Sequence, residues 1–139
     1  MKILSYLSII IAVLIVACGT PKKTVSNTAN KKEEPVRIAN DSLEYEISII
    51  DIGFTSYLAT AKPKTYYTQQ YLEIRNRVYV SEWNNRARNP SRYDDRIYEN
   101  VIDYQYHVDY GLEVNYKLFQ YFQFAQRKYK MRLGSFRVE

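Results

Sequence analysis

Six acidic side chains between residues 82 and 109 are the groups best suited to acid–base chemistry in this sequence. A pair of carboxylates can serve as general acid and general base when a glycosidic bond is hydrolysed. Four arginines in the same stretch can neutralise these acids, so ion-paired or solvated carboxylates are favoured and no catalytic residue is predicted. A small carboxylate-dependent hydrolase is the alternative, with Glu82, Glu99 and Asp103 as its candidate residues.

The sequence offers little for metal-dependent, nucleophilic or nucleotide-dependent chemistry. The one histidine, His107, lies four residues after Asp103 and would supply two metal ligands, whereas a stable site needs three or four. Four glycines are too few for phosphate-cradling loops, and no G-x-S-x-G, P-loop or dinucleotide-binding pattern occurs. We therefore predict no metal and no cofactor.

Tyrosine is unusually frequent, with 15 in 139 residues. It combines an apolar face with a polar hydroxyl and so suits both a core and a binding surface, including one for sugar rings. The segment SEWNNRARNP at 81–90 holds the only tryptophan; it is either a helix end packed by that tryptophan or part of a ligand-contacting rim. The candidate ligand-contacting residues are Glu82, Trp83, Asn84, Arg86, Tyr104 and Tyr106.

The amino-terminal residues predict export and lipid anchoring. Lys2 precedes an almost wholly apolar run over residues 3–17, which is shorter than the about 20 residues that a transmembrane helix needs. A basic start, a short apolar stretch and small residues at its end are typical of a secretory signal peptide, predicted as residues 1–17. The sequence IVAC at 15–18 resembles the bacterial lipobox, in which the cysteine is acylated and becomes the first mature residue. Two or more acyl chains on Cys18 would form a stable anchor.

The segment after Cys18 is polar and lacks aromatic residues. Such a composition cannot bury enough apolar surface to offset the entropy of ordering, so residues 18–40 are predicted to be the lipidated cysteine and a disordered tether. Residues 41–139 have the size of a single Tyr-rich globular domain. Removing the signal peptide makes the net charge of +5 one unit less positive. This mild, dispersed charge predicts no nucleic-acid partner.

Periodicity predicts the first elements of the domain. Residues 43–50, LEYEISII, alternate as in a half-buried strand, for which the tail at 135–139 is one candidate partner. Residues 53–63 predict two helical turns. Residues 65–88 predict a helix with two apolar faces, with a strand over 77–81 as the alternative for its second half.

The remaining segments predict a loop and a long helix. Residues 89–110 have no sustained period and predict an ordered loop whose tyrosines pack on the domain. Residues 112–133 predict the main core helix, with Gln120 on its polar side, basic residues in its last turns and Gly134 just beyond its end. The predicted fold is mainly α, with α+β as the alternative: a small helical domain with one N-terminal strand-like segment.

Four segments carry a resemblance to a known family: YEISIIDIGF, EWNNR, IDY and DYGLEVNYKLFQYFQF. With the lipobox and the polar tether, they resemble a family of small uncharacterised lipoproteins from Bacteroidota over most of residues 43–133. That family has no assigned activity, so the resemblance implies a compartment but no mechanism. Gly19 stands where an inner-membrane retention signal would place Asp, and Lys22 and Lys23 replace the acidic cluster of surface-exported lipoproteins. These features favour the outer membrane, facing the periplasm.

The predicted function is that of a cell-envelope lipoprotein acting as a non-enzymatic, tethered binding or structural module. Its expected partners are the membrane, through lipidated Cys18, and an envelope protein or polysaccharide. Two carboxylates converging in an aromatic-lined cleft would favour the alternative hydrolase. A flat or convex exposed patch of Tyr and Trp would favour binding.

Overall fold

The computed structural model describes residues 35–139, which form three helices and one small sheet. Cys18, the predicted signal peptide and most of the predicted tether lie outside these residues. None of the helices within 35–139 has both the length and the hydropathy that crossing a membrane requires. The elements are β1 (Val36–Asn40), β2 (Tyr45–Ile49), α1 (Phe54–Thr60), α2 (Gln69–Ala87) and α3 (Gly111–Lys128), with 3₁₀ turns at Asp41–Leu43 and Lys64–Tyr66.

The predicted fold class is wrong, because the chain has a two-stranded antiparallel hairpin rather than one strand-like segment and is α+β. Val36 lies opposite Ile49, and Asn40 lies opposite Tyr45. The partner of β2 is therefore β1 and not the tail at 135–139, and β1 lies inside the segment predicted as tether. The reason is local. Ile38 is fully buried. This one isoleucine and the backbone hydrogen bonds to β2 stabilise a short strand, although the composition of the segment around it is polar and predicts disorder.

Local chemistry at the turn places the hairpin beside α3. Oδ1 of Asn40 accepts a hydrogen bond from the N–H of Ser42 at 3.1 Å, and Glu44 adopts a left-handed conformation with φ of 51°. Nδ2 of Asn40 donates to the carbonyl of Tyr110 at 3.1 Å. The turn is thus fixed at the start of α3, and β2 runs towards the other end of that helix.

Helix α3 forms the centre of the core, as predicted. Its side chains Leu118, Phe119, Phe122 and Ala125 are fully buried. The helix ends at Lys128 rather than at 133, because the chain soon reaches a left-handed residue, Lys130, with φ of 50°.

Buried glutamines on α3 hold the carboxyl-terminal tail against the helix. Gln126 accepts a hydrogen bond from the N–H of Leu133 and Gln123 one from the N–H of Glu139, both at 2.8 Å. Gln120, predicted on the polar side, is only 2% exposed. Such internal bonds offset the free energy of burying amide groups.

Helices α2 and α3 run in parallel, with their amino termini at the same end. Nδ2 of Asn76 donates to Oδ1 of Asn115 at 3.1 Å, and two turns further along both helices the ring of Trp83 lies 6.0 Å from that of Phe122. Since α2 ends at the opposite end of the domain from the start of α3, residues 88–110, which connect them in sequence, run back along the domain. They contain no helix or strand, as predicted.

Helix α2 buries one of its two predicted apolar faces. The face that contains Trp83 packs on α3, whereas Ile74 and Val78 on the other face are 47% and 37% exposed. Helix α2 is continuous, so the strand alternative over 77–81 is wrong.

Candidate functional site

A cleft of about 240 Å³ lies where the end of β2, the middle of the 88–110 loop and α3 meet. Residues 47–51 and residues within 96–102 supply much of its wall. Trp83 of α2, Tyr121 of α3 and Tyr129, which directly follows α3, contribute aromatic rings. The cleft thus brings together chain segments that are distant in sequence.

Trp83 is held rigidly at the side of the cleft. Its indole N–H donates to the carbonyl of Asn100 at 3.0 Å, and its ring lies 4.9 Å from that of Tyr98 and 5.6 Å from that of Tyr121. Since its N–H is already bonded and it is only 4% exposed, Trp83 offers the cleft no hydrogen-bond donor and only a small apolar area.

Asp51 lies in the cleft as one half of an ion pair. Its carboxylate accepts hydrogen bonds from Nζ of Lys128 and, at 3.0 Å, from the hydroxyl of Tyr129. Burial disfavours the charged ammonium, but hydrogen bonding and attraction to Asp51 outweigh it and raise the pKa of Lys128. Lys128 therefore stays protonated and neutralises Asp51.

The hydroxyl of Tyr121 lies within the fields of both carboxylates of the cleft, Asp51 and Glu99. Burial raises the pKa of Tyr121 strongly, and the negative charges of these two residues raise it further. The phenol remains protonated and can both donate and accept a hydrogen bond. Glu99 itself is exposed.

Of the six candidate ligand-contacting residues, Trp83 lines this cleft. Asn84 and Tyr104 are buried and use their polar atoms internally. Nδ2 of Asn84 donates to the carbonyl of Ile102 at 2.8 Å, and the hydroxyl of Tyr104 donates to Oδ1 of Asn115 at 2.7 Å. These two residues hold the domain together and are closed to a ligand.

Arg86 and Glu82 form an ion pair on α2 at 2.8 Å. The Arg86 side chain is 14% exposed and also donates to the hydroxyl of Tyr98 at 2.8 Å and to the carbonyl of Arg132 at 2.5 Å. Arg86 therefore ties α2 to the long loop and to the tail.

Tyr106 is 71% exposed and, with Glu82, lines a second and more open depression beside Val78. Nη2 of Arg77 donates to the Tyr106 carbonyl at 3.1 Å. The six candidates are therefore divided among the cleft, this depression and the core, and do not form one site.

The three candidate acids of the alternative hydrolase are not brought together. Glu99 lines the cleft, Glu82 the second depression and Asp103 a third one beside the hairpin. The cleft instead combines Glu99 with Asp51, which the sequence analysis did not single out. The feature of the sequence that could have identified Asp51 is its position directly after an apolar strand.

Tyr121 of α3 and Tyr129, the residue directly after that helix, were also not predicted as residues of a site. Their helix was predicted, but many tyrosines share the same pattern. Which of them reach a cleft depends on how β2 lies along α3, and periodicity does not specify that.

Among residues 35–139, no group of three or more His, Cys, Asp or Glu side chains is placed to hold a metal ion. His107 is exposed.

A family model described as a family of unknown function (DUF6146) matches residues 6–138, and the chain belongs to this family. No curated protein and no solved structure matches the chain significantly. The expectation of an uncharacterised family is confirmed, whereas the lipoprotein character and the bacterial group stay predictions.

Proposed function

We propose that this member of the DUF6146 family is a lipoprotein held at the periplasmic face of the outer membrane through lipidated Cys18, and that its domain is a non-enzymatic module that binds an envelope polysaccharide. The proposed binding site is the cleft that contains Asp51 and Trp83. One observation carries the proposal: aromatic surface, a protonated phenol and a free carboxylate share a cleft of small volume.

The chemistry of the cleft suits a sugar. A sugar ring has apolar C–H faces and a rim of hydroxyls, so it needs apolar surface together with hydrogen-bond partners. The half-buried Tyr129, Ile47 and Ile97 supply most of the apolar surface, the Tyr121 hydroxyl donates or accepts, and the Glu99 carboxylate accepts. Its volume of about 240 Å³ is below the roughly 300–1,000 Å³ of sites for drug-sized ligands, which favours one sugar unit of a longer chain.

The anchoring part of the proposal rests on the sequence. A short apolar run that ends in IVAC predicts acylation of Cys18, and two or more acyl chains give stable attachment. Metabolic labelling with an alkyne fatty acid tests this part. Label should appear on the wild-type protein and be absent from Cys18→Ser.

A carboxylate hydrolase remains the second candidate, because Asp51 and Glu99 share the cleft. Hydrolysis needs one carboxyl group that donates a proton and a second that acts as base or nucleophile. Asp51 is an acceptor of two hydrogen bonds and is paired with Lys128, so it is not free for either role. Binding without turnover is therefore favoured.

Trp83 fluorescence provides the binding experiment, because Trp83 is the only tryptophan and lines the cleft. Full-length protein in detergent micelles is titrated with soluble peptidoglycan and other envelope glycan fragments. Saturable binding is expected. Glu99→Gln should weaken it roughly 5- to 10-fold if Glu99 accepts a sugar hydroxyl, since a hydrogen bond to a charged group contributes about 1.5–3 kcal/mol and the neutral bond that Gln retains about 0.5–1.5 kcal/mol.

Asp95→Asn is the matched control, because Asp95 is an exposed acid of the same loop that does not line the cleft. Equal effects of the two substitutions, or no saturable binding, would contradict the polysaccharide proposal. Release of shorter glycans that stops in Glu99→Gln would favour the hydrolase. Crosslinking in cells with Cys18→Ala as control would instead reveal an envelope protein partner.

A further inference from the structure

We infer that the segment Ile50–Ile52, together with the basic carboxyl end of α3, docks the domain onto the surface of an anionic lipid bilayer. Ile50 and Ile52 are 77% and 81% exposed. The residue between them, Asp51, points inwards and its side chain is only 10% exposed. Two apolar side chains in solvent around one buried charge reverse the usual arrangement of a surface loop.

Hydrogen bonds hold this loop in its reversed arrangement. The Tyr129 hydroxyl donates to the Asp51 carboxylate at 3.0 Å, Nζ of Lys128 donates to the Ile52 carbonyl at 2.8 Å, and the N–H of Phe54 donates to the Asp51 carbonyl at 3.0 Å. The isoleucines are therefore presented in a fixed geometry. Insertion between lipid headgroups would require little ordering of the loop, which favours binding.

Charge around the loop selects an anionic surface. Arg127 and Lys130 are exposed at the end of α3, and neither forms an ion pair with a carboxylate of residues 35–139. Of the acids that line the adjoining cleft, Asp51 is neutralised by Lys128, whereas Glu99 is exposed and forms no ion pair within residues 35–139, so Arg127 and Lys130 leave a local excess of one positive charge. Each basic side chain close to an anionic membrane strengthens association roughly fivefold, so these two cations complement the apolar contact.

The amino-terminal segment enters the described domain next to the same loop. Val36, the first residue of β1, lies opposite Ile49, at a cross-strand separation of about 5 Å. The residues that connect Cys18 to the domain therefore join it beside Ile50. This step rests on the proposed anchoring, whereas the exposure of the isoleucines and the charge around them do not.

A fluorophore at position 52 tests the docking in the full chain. Ile52→Cys is labelled with an environment-sensitive dye, and the protein is reconstituted at one copy per nanodisc of phosphatidylethanolamine and phosphatidylglycerol. We expect blue-shifted emission and protection from an aqueous quencher. Ile74→Cys, at the exposed apolar face of α2, is the control and should stay aqueous. The blue shift should be lost in phosphatidylcholine nanodiscs and in Arg127→Gln/Lys130→Gln.

Any of these results with nanodiscs would overturn the inference: an aqueous signal at position 52 in the anionic nanodiscs, an equal shift at position 74, or a shift that persists in phosphatidylcholine. A blue shift that appears without lipid as the protein concentration rises would assign the segment to a second copy and would also overturn it. Uptake of a second dye per chain at Cys18 would show that acylation fails. Position 52 is then measured in Cys18→Ser added to preformed nanodiscs, so the two failures are distinguishable.

Discussion

The side chain of Asn84 bonds both backbone polar groups of Ile102: its Nδ2 donates to the carbonyl at 2.8 Å, and its Oδ1 accepts from the N–H at 2.7 Å. The neighbouring Trp83 bonds the carbonyl of Asn100. These two side chains form hydrogen bonds with backbone groups of an irregular loop, which in a strand would be bonded to a neighbouring strand. They thereby fix Glu99, one residue before Asn100, at the cleft.

Asn84→Ala should lower the free energy of unfolding by about 2–6 kcal/mol, because it leaves two backbone groups of the loop unpaired at a cost of about 1–3 kcal/mol each. Urea unfolding followed by Trp83 fluorescence measures this change. The matched control is Asn85→Ala, an exposed neighbour whose substitution should change the free energy by less than about 0.5 kcal/mol. Equal losses in both variants would show that the bonds to Ile102 contribute little.

Ile38→Ala should destabilise the protein by about 2–5 kcal/mol, since truncating a fully buried isoleucine leaves a cavity. Ile50→Ala makes the same chemical change at a 77% exposed position and should cost less than about 0.5 kcal/mol. Thermal and urea unfolding of the two variants provide the comparison. Small losses in both would mean that β1 is not part of the folded core.

Glu139→Gln should lower stability at pH 7 and have progressively less effect as the pH falls below about 4. Burial disfavours the charge on Glu139, but hydrogen bonds from Tyr71 at 2.6 Å, Tyr67 at 2.9 Å and Lys62 outweigh it and lower the pKa of this carboxyl. Because the folded-state pKa lies below the unfolded value of about 4.3, the stabilisation is present above that value and is lost as the pH falls through the folded-state pKa.

Unfolding free energies of wild type and Glu139→Gln between pH 3 and 7 test this expectation. A difference that does not change with pH would exclude the carboxylate charge as its cause. Alkaline titration supplies a second readout. Burial and then the bond to Glu139 raise the pKa of Tyr71 to about 12, so its titration should move towards lower pH in the variant.

Gly134→Ala should destabilise the protein by about 2–4 kcal/mol, from left-handed strain and overpacking together. Gly134 has φ of +100°, and an added Cβ would lie 2.7 Å from Cγ1 of Val78. In the background of Val78→Ala the clash disappears but the backbone strain remains, so part of the loss should be recovered. If Val78→Ala restored all of the lost stability, the positive φ at residue 134 would cost nothing. If it restored none, the contact with Val78 would not contribute to the loss.

The sequence specified the elements that have strong periodicity. Strand β2, the short α1 and the amphipathic α3 were predicted because each has a clear apolar pattern, although the predicted end of α3 lies five residues beyond Lys128. Helix α2 was also predicted from periodicity, but which of its two apolar faces is buried was not, because the buried face includes Asn76 and Asn84 while Ile74 and Val78 are exposed. A hydrophobicity pattern cannot predict a face whose burial is stabilised by amide hydrogen bonds.

Local sequence patterns do not predict which strands pair or how two helices are oriented relative to each other. Strand β1 depends on its backbone bonds to β2 and on one buried isoleucine, Ile38, inside a polar segment. Periodicity indicates which face of a helix is buried but not whether α2 and α3 run in the same direction. The candidate cleft depends on both, because Asp51, Trp83 and Tyr121 become neighbours only after the hairpin and the helices have docked. Trp83 was therefore predicted as a site residue, but the residues that surround it were not.

The parallel arrangement of α2 and α3 has a consequence for folding kinetics. Asn76 and Asn115, which bond across the pair, are 39 residues apart in sequence. Two antiparallel helices joined by a short turn can associate progressively from that turn, whereas these two must close the long loop before any of their contacts form, and closure entropy grows with loop length. We therefore expect slower folding than in a helical hairpin of the same length, with the docking of the two helices in the transition state.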